Sequence, residues 1–358
     1  MPQLFEPLRF ARGPAMPNRF MLAPLTNCQS NPDGTLSDDE FKWLTMRATG
    51  GFGLTMTCAA FVQPAGRGFA GQLGIFDDLH LPGLARLAAA IRAAGSRSSV
   101  QLHHAGMRAP AALIGQAPLC PSDDIESGAR AMSAGEVDQV IEDFVRAAER
   151  AEAAGFDGVE LHGAHGYLLC EFLSAEINRR EDAWGGALEQ RARPLFDIIA
   201  GIRQRCGPDF QLGVRLSPER FGMQLGEIRE VAQRLMREDR IDYLDMSLWD
   251  VFKEPQDEAW AGRSLMSCFT ELDRGRVRLG VAGKVRSAAD ALACLDGGCD
   301  FVLIGRAAIL HHDFPRRAGA DPAFAPVALP VSRDYLAGEG LGRAFIDYMG
   351  NWPGFVAA

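Results

Sequence analysis

The stretch GVELHGAHGYLLCEFLS, residues 158–174, places His162, His165 and Tyr167 close together after a short apolar run. Imidazoles can ligate a metal or donate hydrogen bonds, and a phenol carries a transferable proton near neutral pH. An HxxH pair without a neighbouring cysteine is a poor metal site, more so because strand alternation turns Glu160 inward. Metal binding, core packing and contact with a substrate oxygen are therefore the three hypotheses for these residues.

Strands that could position such residues recur along the whole chain. Continuous apolar runs, typical of parallel strands buried on both faces, predict eight strands at 20–25, 53–59, 98–102, 157–161, 211–216, 243–246, 278–282 and 300–304. Amphipathic patterns between them predict helices at 81–94, 133–154, 188–205, 228–237 and 288–295. Ser133 and Glu136 form a capping-box pattern at the start of the second of these helices. This alternation predicts an α/β fold, a (β/α)8 TIM barrel, as a single domain over residues 1–358.

Three segments do not belong to the repeating pattern. Residues 1–19 precede the first strand and are expected to cap the barrel floor. Residues 105–132, rich in Ala, Gly, Pro and Ser, form a long insertion after strand 3, where we predict a lid over the mouth. Residues 313–358 form a C-terminal tail with late aromatics, which can dock on its own barrel or mediate a homo-oligomer contact.

Composition excludes several classes of protein. The formal net charge of −9 and the lack of a basic block argue against nucleic acid as a partner. The chain shows neither a secretory signal nor an apolar run long enough for a membrane span. Its 8 cysteines form no CxxC pair, so reduced thiols in a cytoplasmic protein are expected. These features favour a cytoplasmic enzyme that acts on a small molecule.

The polar residues at the predicted strand ends divide into two groups. In such barrels the active site is built from the carboxyl ends of the strands. Gly283, Gly305 and Arg306 follow strands 7 and 8, where a phosphate commonly binds backbone N–H groups. Thr26, Gln101, His162 and Arg215 lie at the other strand ends and suit a flat heterocycle with many hydrogen-bonding atoms. The pattern indicates a mononucleotide cofactor without specifying which one.

The chain resembles the old yellow enzyme family of FMN-dependent ene-reductases. The resemblance extends from LFEPLRF to about residue 315 and depends on several motifs in order. These motifs are APLT (23–26), PAGRG (64–68), VQLHHAG (100–106), GVELHGAHGYLLCEFLS (158–174), INRREDAWGG (177–186), VRLS (214–217) and FVLIGR (301–306).

The resemblance implies roles for individual residues. FMN would be bound by Pro24, Leu25, Thr26, Ala59, Gln101, His162, Arg215, Gly283, Gly305 and Arg306. His162 and His165 would hold the carbonyl or nitro oxygen of the substrate, and Tyr167 would be the proton donor. Arg215 would stabilise negative charge at the flavin pyrimidine edge, and we expect a buried ion pair with Glu160 to orient it.

The implied activity is ping-pong reduction of activated alkenes such as enones, maleimides and nitroalkenes, with NAD(P)H as reductant. The alternatives on the same flavin scaffold are an NADH or NADPH oxidase and a nitro or xenobiotic reductase. From other classes, a metal-dependent barrel hydrolase and a non-catalytic flavin-binding protein stay open.

Two branches of the family are mixed in this sequence. His165 resembles the thermophilic-like branch, whereas Thr26 resembles the original branch. Cys28 stands near the position where the thermophilic-like branch has a substrate-facing tyrosine, and it is a candidate substrate-binding residue. The resemblance therefore does not determine the range of substrates.

Overall fold

The computed structural model describes residues 2–357; Met1 and Ala358, at the ends of the predicted cap and tail, lie outside the described residues. Within that range eight parallel strands close into a barrel whose order follows the chain, β1-β2-β3-β4-β5-β6-β7-β8. The strands are β1 (Phe20–Leu22), β2 (Leu54–Phe61), β3 (Arg97–His103), β4 (Gly158–Gly163), β5 (Gln211–Leu216), β6 (Tyr243–Ser247), β7 (Arg278–Ala282) and β8 (Phe301–Ile304). The predicted TIM barrel is confirmed.

Strand ends differ from the prediction where backbone chemistry changes. Strand β1 stops at Leu22 rather than at residue 25, because Pro24 has no N–H to donate to the ladder. Strand β2 runs on to Phe61 across an irregularity between Met56 and Ala59. Such bulges bend a strand and redirect its side chains.

The helices surround the barrel. The longer ones are Asp38–Thr49, Leu81–Ala93, Ala134–Ala153, Leu188–Arg205, Leu225–Glu238 and Ala288–Asp296. Shorter ones are Ala111–Ile114, Leu168–Leu173, Ser267–Thr270, Arg306–Leu310 and Phe314–Ala320. The predicted capping box is present, since Ser133 accepts from the Glu136 N–H and Glu136 accepts from the Ser133 N–H. Among the described helices, none is both long and apolar enough to cross a bilayer.

Strand register brings the inward polar residues to neighbouring positions. Gln101 on β3 is paired with Glu160 on β4. Arg215 on β5 is paired with His162 on one side and with Asp245 on the other. Because side chains alternate in and out along a strand, this register decides which of them can meet inside the barrel.

The N-terminal segment lies across the amino ends of the strands. Leu8 and Met16 form an antiparallel bridge. The Phe10 ring packs against Tyr243 and Phe301, the first residues of β6 and β8, with centroid distances of 5.8 and 6.5 Å. These contacts support the proposal that residues 1–19 cap the barrel floor.

The tail packs on the barrel of its own chain. Helices Arg333–Gly338 and Arg343–Gly350 follow one another there. Trp43 meets Phe345 edge to face at 4.9 Å. The fully buried Arg47 side chain donates to the carbonyl oxygens of Glu339 (2.6 Å) and Ala308 (3.0 Å). One guanidinium thus joins the tail to the segment after β8.

We expect Arg47→Met to lower the free energy of unfolding by about 2–4 kcal/mol, because several buried carbonyl oxygens would lose their donor. Urea denaturation followed by circular dichroism measures this change. Arg86→Met is the matched control, since Arg86 pairs with Asp38 at the surface of the protein. Equal midpoints for the two variants would contradict the assigned role of Arg47.

Candidate active site

His162, His165 and Tyr167 form one cluster at the mouth of the barrel. Strand β4 ends just after His162, and a tight turn follows in which His165 has a φ of 63°. Its ring centroid lies 4.9 Å from that of His162 and 6.5 Å from that of Tyr167. The left-handed backbone at His165 is costly for a residue with a side chain, and such outliers concentrate at functional sites.

A chain of polar contacts runs through the two imidazoles. The Ala164 N–H donates to His162 Nδ1 at 3.3 Å. His162 Nε2 lies 3.3 Å from His165 Nδ1, and His165 Nε2 lies 2.7 Å from Ser247 Oγ. Arg215 Nη2 donates to the same serine oxygen at 3.4 Å. This series of contacts therefore links β4, β5 and β6 across the mouth.

Both histidines are neutral at physiological pH. Burial lowers the pKa of His162 and of His165 well below the usual value, and the positive charge of Arg215 lowers both further. A neutral imidazole has one N–H and one acceptor nitrogen, so each ring can donate to a single partner. The described residues contain no group of three or more metal-ligating side chains that includes this pair.

The partner of Arg215 is Asp245, so the predicted ion pair between Arg215 and Glu160 is wrong. Arg215 Nε lies 2.9 Å from Asp245 Oδ2, although the atoms are not aligned for a hydrogen bond. Asp245 lies on the next strand in the direction away from Glu160. Alternate residues along β6 point to the same face of the sheet, and these are Tyr243, Asp245 and Ser247. This alternation was the signal in the sequence that could have identified Asp245.

Glu160 instead orients the amide of Gln101. The Gln101 Nε2 group donates to Glu160 Oε1 at 2.7 Å, and both side chains are buried. The Glu160 oxygen that faces Gln101 acts as the acceptor, so it selects the NH2 end of the amide. The Gln101 carbonyl oxygen is then left for another donor.

A cavity of about 360 Å³ opens beside this cluster. Its wall includes the predicted cofactor residues Pro24, Leu25, Arg215, Gly283, Gly305 and Arg306, together with His165. Ser247, Trp249, Arg286 and Trp352 also line it and were not predicted. Trp352 comes from the tail, whose position no local pattern specifies.

The far end of the cavity has the chemistry of an anion site. Arg286 and Arg306 have no carboxylate partner within residues 2–357. Burial lowers the pKa of Arg306, and the positive charge of Arg286 lowers it further. Gly283 has a φ of 148°, and a Cβ there would lie 2.7 Å from the Trp249 carbonyl carbon. The backbone of Trp249 therefore requires a glycine at position 283. The two guanidinium groups without a carboxylate partner fit a phosphate.

The remaining candidates are not among the described residues that line this cavity; they are Thr26, Cys28, Ala59, Gln101 and His162. Thr26 and Cys28 follow β1, and the Ala59 carbonyl oxygen accepts from Gln72 Nε2 at 2.8 Å. Burial raises the pKa of the Tyr348 phenol in the tail, and the nearby Thr26 opposes this rise, so the tail also reaches Thr26. Burial and the neighbouring Glu40 raise the pKa of Cys28 to about 11, which keeps it a thiol.

Comparison with known proteins yields a consistent set of relatives. The sequence profile of the NADH:flavin oxidoreductase / NADH oxidase family matches residues 3–322. A probable NADH-dependent flavin oxidoreductase, YqiG of Bacillus subtilis, is 38% identical over 314 residues, which are 85% of this chain and 84% of the relative. The NADH:fumarate oxidoreductase of Klebsiella pneumoniae is 33% identical over 335 residues, but the match covers only 36% of that longer protein and 89% of this chain.

The solved structures agree with these matches. An old yellow enzyme homologue from Zymomonas mobilis superposes with a TM-score of 0.82 at 27% identity. The superposition covers 97% of this chain and 99% of that one.

Glu160→Gln is expected to flatten the pH dependence of stability. Burial and the neighbouring Asp245 raise the pKa of Glu160 above its usual 4.5, and Arg215 only partly opposes this. A carboxyl with a raised folded-state pKa contributes stability that is complete at low pH and is lost as pH rises through that pKa. The difference in unfolding free energy between pH about 5 and about 8 should therefore shrink, at about 1.4 kcal/mol per pKa unit.

Urea midpoints at the two pH values, in excess FMN, measure this effect. Glu126→Gln, a change at an exposed residue of the insertion, is the control and should keep the wild-type slope. An unchanged slope in Glu160→Gln would refute the assignment.

Proposed function

Because the chain belongs to the NADH:flavin oxidoreductase / NADH oxidase family, it is an FMN-dependent NAD(P)H oxidoreductase, and we propose that it reduces activated alkenes. Enones, maleimides and nitroalkenes are the proposed substrates. The observation that carries the proposal is the pair of neutral imidazoles whose facing nitrogens lie 3.3 Å apart beside a phenol. The carbonyl or nitro oxygen of the substrate, placed between the two imidazoles, would gain negative charge as the alkene is reduced.

The cavity suits FMN at both ends. The phosphate would meet Gly283, Gly305 and Arg306, and the ring system would meet Gln101 and Arg215. Backbone and side chains of Pro24, Leu25, Thr26 and Ala59 are proposed to line it. When bound, FMN supplies the hydride chemistry that links NAD(P)H to the substrate.

Ser247 is proposed to set the proton positions in the histidine pair. The Ala164 N–H occupies His162 Nδ1, so the proton of His162 is on Nε2. Arg215 donates to Ser247, which leaves the serine proton for His165 Nε2 and places the proton of His165 on Nδ1. Both N–H groups then face one point, and a substrate oxygen there would accept from both.

Tyr167 is proposed as the proton donor to the substrate carbon. Its ring lies 5.0 Å from the His162 ring and 4.4 Å from the His103 ring. The Arg108 guanidinium lies 5.0 Å from the phenol ring centroid and donates to the His165 carbonyl oxygen at 2.5 Å. These contacts hold the phenol beside the histidine pair, where a substrate carbon would lie.

Arg108 belongs to the insertion, residues 105–132, and this contact supports the proposed lid. The insertion also contains a pair of short strands, Leu119–Cys120 and Arg130–Ala131. Ordered backbone of this kind can present Arg108 to the site without a long unstructured loop.

NAD(P)H and alkene must reach the same histidine-lined cavity, so we propose that they bind in turn, by a ping-pong mechanism. Parallel lines in double-reciprocal plots would support this order, and intersecting lines would contradict it.

The family also includes NADH oxidases, so oxygen reduction is the second candidate function. Turnover with cyclohexenone under nitrogen, compared with turnover in air without alkene, separates the two.

Two further proposals concern the cellular compartment of the enzyme and its contact with other copies of the chain. The cysteines in the described part of the chain are all free, which supports a reducing, cytoplasmic compartment. The inner face of the tail is occupied by its own barrel, so a homo-oligomer contact through the tail would use its outer face.

We expect Tyr167→Phe to lower the rate of alkene reduction by about 100-fold, as is typical of a lost general acid. Reduction of the flavin by NAD(P)H should stay within about 2-fold, since it needs no proton from this residue. Stopped-flow measurement of both half-reactions checks this split. Tyr335→Phe is the control, because this tail residue donates its hydroxyl to the Leu310 carbonyl oxygen and has no role in the proposed reaction. An equal fall in both half-reactions would show that the role given to Tyr167 is wrong.

Ser247→Ala is expected to lower kcat/KM for cyclohexenone about 10-fold or more, because one donor to the substrate oxygen is lost. Ser247→Thr keeps the hydroxyl and should recover most of the rate. Steady-state kinetics with saturating NADPH measures both. Similar values for the Ala and Thr variants would mean that the hydroxyl does not set the tautomer.

A further inference from the structure

An exposed aromatic residue and an exposed cation stack at the outer rim of the cavity. Trp249, which follows β6, is 58% exposed and lines the cavity. The Arg220 guanidinium, from the segment after β5, lies 4.5 Å from its ring centroid. A large aromatic side chain left this exposed adds little to the stability of the fold.

The backbone at this rim is held in an unfavourable conformation. Trp249 has a φ of 68°, and Arg220 and Phe221 have φ values of 70° and 55°. Left-handed backbone is rare for bulky residues and costs free energy. The Leu248 N–H donates to the Ala282 carbonyl oxygen at 2.9 Å, and this bond fixes Trp249 next to β7. Strain kept at an exposed tryptophan points to a ligand rather than to packing.

The charges around the rim are positive and largely uncompensated. Arg220 and Arg286 form no ion pair in the part of the chain that the structure describes, whereas Lys284 is paired with Asp250 at 2.8 Å. This excess lies on a protein of net charge −9. An aromatic face beside unpaired guanidinium groups matches a planar base that carries phosphates.

We propose that Trp249 and Arg220 bind the adenine nucleotide half of NAD(P)H, with the adenine stacked on the indole. This inference rests on the proposed function, in which the nicotinamide enters the cavity beside the histidines. The diphosphate and adenosine must then leave through the rim, past these two residues. Stacking of a base on an aromatic side chain stabilises the complex, so about 10-fold in affinity is at stake.

The test compares two reductants that differ only in the adenylate. NADPH or NADH carries it, and reduced nicotinamide mononucleotide does not. In the holoenzyme, Trp249→Ala should raise the apparent dissociation constant for NAD(P)H about 10-fold in stopped-flow flavin reduction. The constant for the mononucleotide should stay within about 2-fold. Trp249→Phe keeps a smaller ring and should recover most of the affinity for NAD(P)H.

Trp260→Ala is the matched control. Trp260 also stacks with an arginine, Arg229, at 4.5 Å, and it does not line the cavity. This variant should leave both reductants unaffected. AMP should inhibit the wild-type enzyme competitively against NAD(P)H, and Trp249→Ala should weaken that inhibition about 10-fold.

Three results would overturn the inference. Equal effects of Trp249→Ala on both reductants would place Trp249 at the nicotinamide, and no effect on either would remove it from binding. A change of molecular mass in solution with unchanged affinities would assign it to a contact between copies of the chain. Failure of both nicotinamides to reduce the flavin of the wild type is different, because it would refute the proposed function itself.

Discussion

The active site depends on one buried cation, Arg215. Its guanidinium is only slightly accessible and lies against Asp245, with Glu160 nearby and His162 and His165 at the mouth. A buried charge without a partner would be strongly destabilising, and Asp245 provides the compensation. Burial and this cation both disfavour protonation of the two histidines, so each ring keeps one N–H donor and one acceptor nitrogen rather than becoming an imidazolium ion. Charge compensation and proton positions at the mouth are therefore set together.

The closed barrel makes this arrangement rigid. Parallel strands fix the register, and the register places Gln101 opposite Glu160 and Arg215 opposite Asp245. A slip of one residue would turn every one of these side chains to the opposite face. Loops then bring what the strands do not supply, namely Arg108 from the insertion and Trp352 from the tail. The strands hold the charged groups, and the loops add Arg108 and Trp352 around them.

The charge around the cavity is opposite in sign to the net charge of the protein. The protein as a whole is negative, yet the cavity and its rim carry arginines that have no carboxylate partner among residues 2–357. Such local positive potential attracts anionic ligands and raises their rate of association. FMN and NAD(P)H are both phosphate-bearing molecules, so one basic region can serve a resident cofactor and a reductant that comes and goes.

The sequence alone determined the barrel, because buried parallel strands read as short apolar runs with helical patterns between them. It also determined the cluster of His162, His165 and Tyr167, since these residues are neighbours along the chain and follow a strand end. The tertiary structure decided the partner of Arg215, because Asp245 and Glu160 flank the same strand and only the packed geometry brings one of them into contact. It likewise decided the place of Ser247 and of the tail aromatics, since contacts between residues far apart in the chain leave no local pattern to read.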